Sequence, residues 1–247
     1  MLDSLKNYVR TIEARITPRT TEVQFRGHAL RFYRSAWWVC ENQSIFEQEI
    51  VPYFACIERP VSELKCIVDA GAATGVFSIA ASRIFPDAHF TLFEPSVRQR
   101  VLLERNLRLN GLDTKQVNVF ETALWNREET VTFRTIGAMS SIESASHLAG
   151  KLNFTERVAT ITLDEWCQRT DLPRVDLVKM DIEGSEIEAI AGAKRTLSRF
   201  KPELLVMAYH LREGGRTFER CANQLSDLGY EISESPHAVG LLHGVAQ

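Results

Sequence analysis

Charged residues follow two predicted strands of this sequence at positions that suit proton transfer. The strand predicted over 175–180 contains Lys179 near its end and is followed by Asp181 and Glu183. The next predicted strand, 203–209, is followed by His210. Carboxylate and imidazole groups exchange protons near neutral pH when a fold places them beside a substrate. We therefore assign four candidate catalytic residues, which would orient and deprotonate a substrate: Asp181, Glu183, His210 and Lys179.

A purely structural role would explain part of this pattern. Acidic side chains at a helix N-terminus are stabilised by the helix dipole, which would account for Glu183 or Glu186. It would not account for Lys179 and Asp181, because the carboxyl ends of strands face the ligand crevice in open α/β sheets. Asp181, Glu183 and His210 could also ligate a divalent cation, and the sequence does not separate that from metal-free chemistry. Our assignment includes no metal ligand.

The segment 66–95 has the layout of a nucleoside-binding βαβ unit. A buried strand runs into a turn that contains Asp69, Gly71 and Gly75, and the following strand ends on Glu94. Glycine allows a tight turn that lies against a ligand, and an acid at the end of the second strand can accept hydrogen bonds from a ribose diol. The alternative is a glycine-rich turn that has only a structural role and binds no ligand.

The details of this turn favour a nucleoside without a phosphate. A dinucleotide site needs GxGxxG, whereas Gly71 and Gly75 have GxxxG spacing behind the acid Asp69. S-adenosylmethionine fits such a turn, since it carries an ammonium, a sulfonium and an adenosine. We assign seven cofactor-binding residues, of which the last two would lie near adenine: Asp69, Gly71, Ala72, Gly75, Glu94, Thr122 and Ala123.

Strand and helix signals alternate from residue 66 onward, which is typical of a parallel sheet with helices on both faces. The sequence predicts these strands: 66–69, 90–94, 116–120, 130–135, 157–163, 175–180, 203–209, 230–233 and 239–245. It predicts these helices: 75–84, 96–110, 163–169, 183–199 and 217–228. A Ser-rich segment at 137–155 is long for a connection, and we expect a mobile active-site loop there.

The N-terminal part has a different character. Residues 1–18 have the spacing of an amphipathic helix, 21–33 alternate like a hairpin around Gly27-His28, and 44–57 look helical with a kink or break at Pro52. We therefore expect residues 1–60 to form a helical and hairpin extension and residues 61–247 to form one globular unit.

Composition excludes several classes of function. The 247 residues carry a net charge of -3, which gives no electrostatic reason to expect nucleic acid as a partner. The sequence contains no long apolar run and no apolar core of a secretory signal, and its five cysteines include no CxxC pair. We expect a cytoplasmic protein without stable membrane insertion, in which a homodimer is possible.

These segments together resemble the FkbM family of S-adenosylmethionine-dependent methyltransferases. The resemblance covers residues 66–210 and rests on VDAGAATGVFSIAAS (68–82), FEPSV (93–97), TLDEW (162–166) and DLVKMDIEGSEIEAIAGA (176–193), followed by KPELLVMAYH (201–210). Glu47 and Glu49 upstream are also similar to the family. Two positions depart from it: Ala73 replaces a usual asparagine, and Tyr209-His210 stand where a glutamate is common.

The resemblance implies a doubly wound, Rossmann-like class I methyltransferase sheet. It also implies methylation of a hydroxyl on a small-molecule acceptor such as a sugar, polyketide or other secondary metabolite. Methylation of an amide or amine nitrogen in a peptide or protein remains an alternative, as does a non-catalytic nucleoside-binding protein of the same fold. A short-chain NAD-dependent oxidoreductase is excluded, because its glycine motif and its Tyr-x-x-x-Lys pair are both missing.

Overall fold

A β-hairpin and two short helices precede the main sheet in this computed structural model. The structure describes residues 20–33, 42–136, 139–142, 154–212 and 214–247. Its first elements are β1 (Thr20–Phe25), β2 (His28–Tyr33), α1 (Gln43–Glu49) and α2 (Val51–Cys56). Arg26 and Gly27 form the hairpin turn with φ angles of 48° and 82°, as a two-residue connection requires. The expected break near Pro52 is confirmed, and Pro52 lies in the first turn of α2.

Regular alternation of strands and helices then builds the main sheet. Its first half consists of β3 (Cys66–Ala70), α3 (Val76–Ile84), β4 (His89–Phe93), α4 (Val97–Leu109) and β5 (Val117–Phe120). All five residues of β3 are buried. All of them except Asp69 are apolar, as expected for a strand that is covered on both faces, which explains why the sequence signal was clear.

A smaller sheet interrupts the alternation. It consists of β6 (Ala123–Leu124), β7 (Thr130–Ile136), β8 (Met139–Ile142) and β9 (Phe154–Ile161), in the order β6-β9-β7-β8. Four residues of the Ser-rich segment, which we expected to be a loop, are in fact β8, because they pair antiparallel with β7. Most of that segment, like the predicted helix at 1–18, lies outside the described residues.

The second half of the main sheet follows. Its elements are α5 (Leu163–Arg169), β10 (Leu177–Met180), α6 (Glu186–Ala191), α7 (Lys194–Phe200), β11 (Glu203–Met207), β12 (Leu211–Arg212), β13 (Gly215–Arg216), α8 (Thr217–Ser226), β14 (Tyr230–Glu234) and β15 (Leu241–Ala246). The single helix predicted over 183–199 is wrong, because α6 ends at Ala191 and α7 begins at Lys194. A side chain at Gly192 would overlap the carbonyl oxygen of Trp125, so the chain approaches another backbone here.

The main sheet has the strand order β14-β15-β11-β10-β3-β4-β5 among the described residues. β10, β11, β3, β4 and β5 are mutually parallel, whereas β15 pairs antiparallel with both of its neighbours. The order reverses between β3 and β10, and the crevice at such a reversal is where open α/β sheets bind ligands. The doubly wound fold class is therefore confirmed.

The N-terminal part shares its hydrophobic core with the sheet. Phe54 of α2 stacks on Phe77 of α3 at a centroid distance of 5.2 Å, and Phe25 of the hairpin contacts Phe54 at 5.1 Å. Aromatic pairs at these distances stabilise the packing beyond the area that they bury. The described part of the extension is thus packed against the first half of the sheet. No helix among the described residues is long and apolar enough to cross a membrane.

Candidate active site

The turn after β3 packs directly against the residues that follow β10. Gly71 has a φ of +75°, and a side chain there would overlap the carbonyl oxygen of Asp181. Gly75, with a φ of +84°, opens α3 close to Leu103 of α4. Both glycines are therefore required by conformation and by space. This packing brings the two sequence signatures to one place.

Lys179 and Asp69 form a buried ion pair beneath this turn. They are register partners on adjacent strands, and the Lys179 Nζ lies 3.0 Å from Oδ1 of Asp69. Lys179 also donates to the carbonyl oxygen of Gly71, and the Ser78 hydroxyl donates to Oδ2 of Asp69 over 2.6 Å. Burial acts to lower the pKa of Lys179, but Asp69 and Asp181 raise it overall. The pair thus fixes the turn in a charged, hydrogen-bonded state.

Glu94 lies at the end of β4 with its carboxylate under the turn. Its Oε2 accepts from the backbone N–H of Ala73 at 2.8 Å, and its Oε1 accepts from that of Ser96 at 2.9 Å. Each carboxylate oxygen keeps one further lone pair. Burial raises the pKa of Glu94 to about 7, against the lowering effect of these backbone donors.

Asp181 follows β10 and is held by a residue from the extension. The hydroxyl of Tyr53 donates to Oδ2 of Asp181 over 3.1 Å. Tyr53 is only 2% exposed, and its ring lies 5.9 Å from the Lys179 ammonium. Tyr53 was not among the predicted site residues, since it lies in the segment 44–57, which was predicted only to be helical.

Glu183, Glu186 and His210 form a second polar cluster, in which Glu186 and His210 are buried. Glu183 has a left-handed φ of 56°, which turns its carboxylate toward Nε2 of His210, 3.1 Å away. Glu186 accepts from the backbone N–H groups of Ile182 and Gly184, and its Oε1 lies 3.8 Å from Nδ1 of His210. Burial acts to lower the pKa of His210, but the hydrogen bond to Glu183 and the charge of Glu186 raise it overall.

One cavity of about 280 Å³ joins these groups. Seven predicted residues line it: Gly71, Ala72, Glu94, Ala123, Lys179, Asp181 and Glu183. Four others lie outside its described lining: Asp69, Gly75, Thr122 and His210. Asp69 and His210 stand behind wall residues and hold them, while Gly75 opens the helix. The wall also includes residues that sequence analysis did not assign to the site, namely Glu49, Tyr53, Phe133, Ser185 and Tyr209.

The cavity suits S-adenosylmethionine better than a phosphate-bearing nucleotide. Apolar wall residues beside Glu94, including Phe93 and Leu124, suit an adenine ring, and the free lone pairs of Glu94 suit two ribose hydroxyls. Pyrophosphate would meet the carboxylates of Asp181 and Glu183, while the only cation in the described wall, Lys179, is already paired with Asp69. No group of three or more potential metal ligands occurs within the described residues.

Comparisons with known proteins identify the family of this chain. The sequence model of the methyltransferase FkbM domain matches residues 69–232, more than half of the chain. The 2-O-methyltransferase NoeI of Sinorhizobium fredii is 26% identical over 62% of this chain and 73% of its own length. Methyltransferase sdnD of Sordaria araneosa is 29% identical over 51% of this chain and 59% of its own length.

Solved structures share the fold. The methyltransferase FkbM of Methylobacillus flagellatus superposes with a TM-score of 0.53 at 20% identity, over 78% of this chain and 49% of that one. Fibrillarin of Aeropyrum pernix, solved with natively bound S-adenosylmethionine, superposes with a TM-score of 0.52 at 16% identity, over 94% of this chain and 83% of its own. The chain thus spans about half the length of the Methylobacillus protein. From its domain match, its two signatures and its fold, the protein belongs to the FkbM family of S-adenosylmethionine-dependent methyltransferases.

Proposed function

We propose that this protein methylates a hydroxyl group of a small-molecule acceptor, such as a sugar, a polyketide or another secondary metabolite. One observation carries the proposal: a single cavity is lined by the predicted cofactor residues Gly71, Ala72 and Glu94 and by the carboxylates of Asp181 and Glu183. NoeI, a similar protein, is a 2-O-methyltransferase, which supports an oxygen acceptor.

The cofactor end of the cavity is formed by the turn after β3 and by the end of β4. Glu94 would accept hydrogen bonds from the ribose hydroxyls, and Ala123 would contact the adenine together with its neighbour Thr122. Gly71 and Ala72 would approach the methionine part closely through their backbone. Asp69 acts through Lys179 and the turn, because both of its oxygens are already hydrogen bonded.

The chemistry requires alignment and the removal of one proton. S-adenosylmethionine supplies an electrophilic methyl group on a positively charged sulfur. The acceptor oxygen must approach that carbon in line with the breaking bond and must lose its proton, so the protein gains most by positioning both groups. We assign Asp181 as the base that accepts this proton, because its carboxylate lies in the cavity wall and is held by Tyr53.

Glu183 and His210 would orient the acceptor. Glu183 lines the cavity, and the buried His210 behind it fixes the direction of the carboxylate. An imidazole in this place is a positioning residue, since it holds the group that touches the acceptor. A carboxylate so held accepts a hydrogen bond from a hydroxyl without reorganising.

Turnover with a panel of hydroxyl and amine acceptors tests the proposal. We expect S-adenosylhomocysteine to form only with certain hydroxyl acceptors, and NMR of the product to locate an O-methyl group. Asp181→Asn keeps the shape of the side chain and should lower kcat at least a hundredfold while cofactor affinity stays within about twofold. A product methylated on nitrogen, or full activity of Asp181→Asn, would refute the proposal.

A further inference from the structure

The part of the cavity away from Glu94 carries an excess of negative charge. We call this part the acceptor end; it is formed by Glu49, Tyr53, Asp181, Glu183, Ser185 and Tyr209. Glu49 comes from α1, whereas Asp181 and Glu183 follow β10. Any ligand preference of the acceptor end rests on the proposed function, because its ligand would be the molecule that receives the methyl group.

The basic side chains near the acceptor end already contact carboxylates of the protein. Lys179 is the only cationic side chain in the described wall, and Asp69 balances its charge at 3.0 Å. His210 lies between Glu183 and Glu186, so one imidazole faces two acids. Lys179 and His210 also act electrostatically on Asp181. Neither Asp181 nor Glu49, however, forms an ion pair with a cation within the described residues.

The pKa of the Tyr209 hydroxyl responds to the negative charge of the carboxylates around it. Burial raises the pKa of this phenol well above its ordinary value, and four carboxylates raise it further, in this order: Glu183, Asp181, Glu186 and Glu49. Residues from two separate parts of the chain therefore direct negative charge at one point. One face of the Tyr209 ring stacks on the imidazole of His210 at a centroid distance of 4.2 Å. Because Tyr209 is 44% exposed, the ring can still offer its other face at the cavity rim.

A second observation indicates that this end is built for a polar ligand. Ser185 lies in the wall and is 2% exposed, yet its hydroxyl has no hydrogen-bond partner in the described part of the chain. A buried hydroxyl normally has a partner, because leaving it unpaired costs free energy. A polar group of the acceptor would satisfy it beside Glu183.

We propose that the acceptor is a cationic small molecule, with an ammonium group near the hydroxyl that is methylated, as in an amino sugar or an amino alcohol. The ammonium binds between Glu49, Asp181 and the ring of Tyr209, and the hydroxyl meets the carboxylates that follow β10. Molecules with a phosphate or a carboxylate are excluded, because like charges in a partly desolvated cavity repel strongly.

The methyl donor does not remove this preference. S-adenosylmethionine carries two positive charges and one negative charge, so its net charge offsets at most one carboxylate. A neutral acceptor would leave the negative charge of the remaining carboxylate of the acceptor end without that offset. An ammonium supplies a positive charge and donates three hydrogen bonds.

Three sugars that differ only at carbon 6 test the inference: 6-amino-6-deoxyglucose, glucose and glucuronate. Their charges are positive, neutral and negative at pH 8, where the amine remains protonated. Binding to the protein with S-adenosylhomocysteine present is measured by calorimetry. We expect the amino sugar to bind at least about tenfold tighter than glucose, with glucuronate the weakest and the differences shrinking in high salt.

Two glutamates on α1 provide a matched pair of variants. Glu49 lines the cavity, whereas Glu47, two residues earlier, contacts Gln43 on the surface. Glu49→Gln should lower the preference for the amino sugar about three- to tenfold. Glu47→Gln should leave it unchanged.

Equal binding of the three sugars, binding of none, or the same effect from both glutamate variants would overturn the inference. If a neutral hydroxyl acceptor is methylated and the sugars bind alike, the inference fails and the proposed function stands. If the amino sugar binds best but no hydroxyl is ever methylated, the proposed function fails and the charge preference stands.

Discussion

The phenol of Tyr53 donates a hydrogen bond to Oδ2 of Asp181 across 3.1 Å, although 128 positions separate the two residues in sequence. Tyr53 belongs to α2, upstream of the region that matches the FkbM domain. A residue of the extension therefore fixes the carboxylate that we assign as the base. Catalysis and the placement of α2 should be coupled through this contact.

Tyr53→Phe tests that coupling. The variant keeps the ring packing against Phe77 but removes one hydrogen bond to a carboxylate, which is worth about 1.5–3 kcal/mol. We expect kcat to fall about tenfold or more while KM for S-adenosylmethionine changes less than about threefold. Tyr230→Phe is the control, because this equally buried phenol donates to the carbonyl oxygen of Leu197, away from the cavity. Equal kcat values for wild type and Tyr53→Phe would disprove the coupling.

Alanine substitutions at Gly71 and Gly111 distinguish the cost of a strained backbone conformation from the cost of a steric overlap. Their φ angles are +75° and +76°, but a side chain would overlap the Asp181 carbonyl at Gly71 and would meet nothing within 4 Å at Gly111. Gly111→Ala should lower the free energy of unfolding by about 1–2 kcal/mol through backbone strain alone. Gly71→Ala should cost about 1–3 kcal/mol more, because the turn and the Asp181 backbone must separate. Urea unfolding measures both, and equal losses would show that the turn does not pack on Asp181.

The pKa of Glu94 predicts how cofactor affinity depends on pH. Burial raises this pKa from the ordinary 4.5 to about 7, so the cofactor-free fold gains stability from protonated Glu94 in acid and loses it as pH rises through 7. Cofactor binding has the opposite sign, because ribose hydroxyls donate to the ionised carboxylate. Affinity should be highest at pH 8 and fall up to about tenfold per pH unit below 7.

Calorimetry between pH 6 and pH 8.5 measures this dependence. Glu94→Gln should bind weakly with little change over the range. Glu186→Gln should retain the wild-type slope, since burial also raises the pKa of Glu186 to about 7 but this residue lies outside the described cavity lining. Loss of the slope in Glu186→Gln, or its survival in Glu94→Gln, would remove Glu94 from the proposed ribose contact.

For two residues of the candidate site, the end of a strand was enough to predict the position. Glu94 and Asp181 follow parallel strands, and the carboxyl ends of such strands share one edge of the sheet. The role of Asp69 could not be predicted from its place at a strand end alone. The strand register pairs Asp69 with Lys179, and this pairing turns its side chain away from the cavity. Tyr53 could not be assigned, since the docking of a short helix against the sheet leaves no periodic signal in the sequence.

The small sheet was predicted only in part for a similar reason. The alternation in β7 and β9 was visible, whereas β8 exists because its backbone pairs with β7. The helix break at Gly192 also depends on a distant contact, since its Cα faces the backbone at Trp125. Local propensity favours one continuous helix there, whereas tertiary packing divides it into α6 and α7.

Ala73 offers a last test, at the position where the turn departs from the family pattern. Its φ of 47° lies in the left-handed region, which costs a non-glycine residue about 1 kcal/mol and which asparagine tolerates better. Ala73→Asn should therefore raise the free energy of unfolding by about 0.5–1 kcal/mol, whereas Ala73→Gly should gain less because glycine also adds freedom to the unfolded chain. Ala73 lines the cavity beside Glu94, so calorimetry can show whether the asparagine also increases cofactor affinity. Increased affinity in Ala73→Asn alone would mean that the amide contacts the cofactor, and equal affinities would mean that this position serves the turn. Stability no higher than wild type in both variants would show that Ala73 is unstrained.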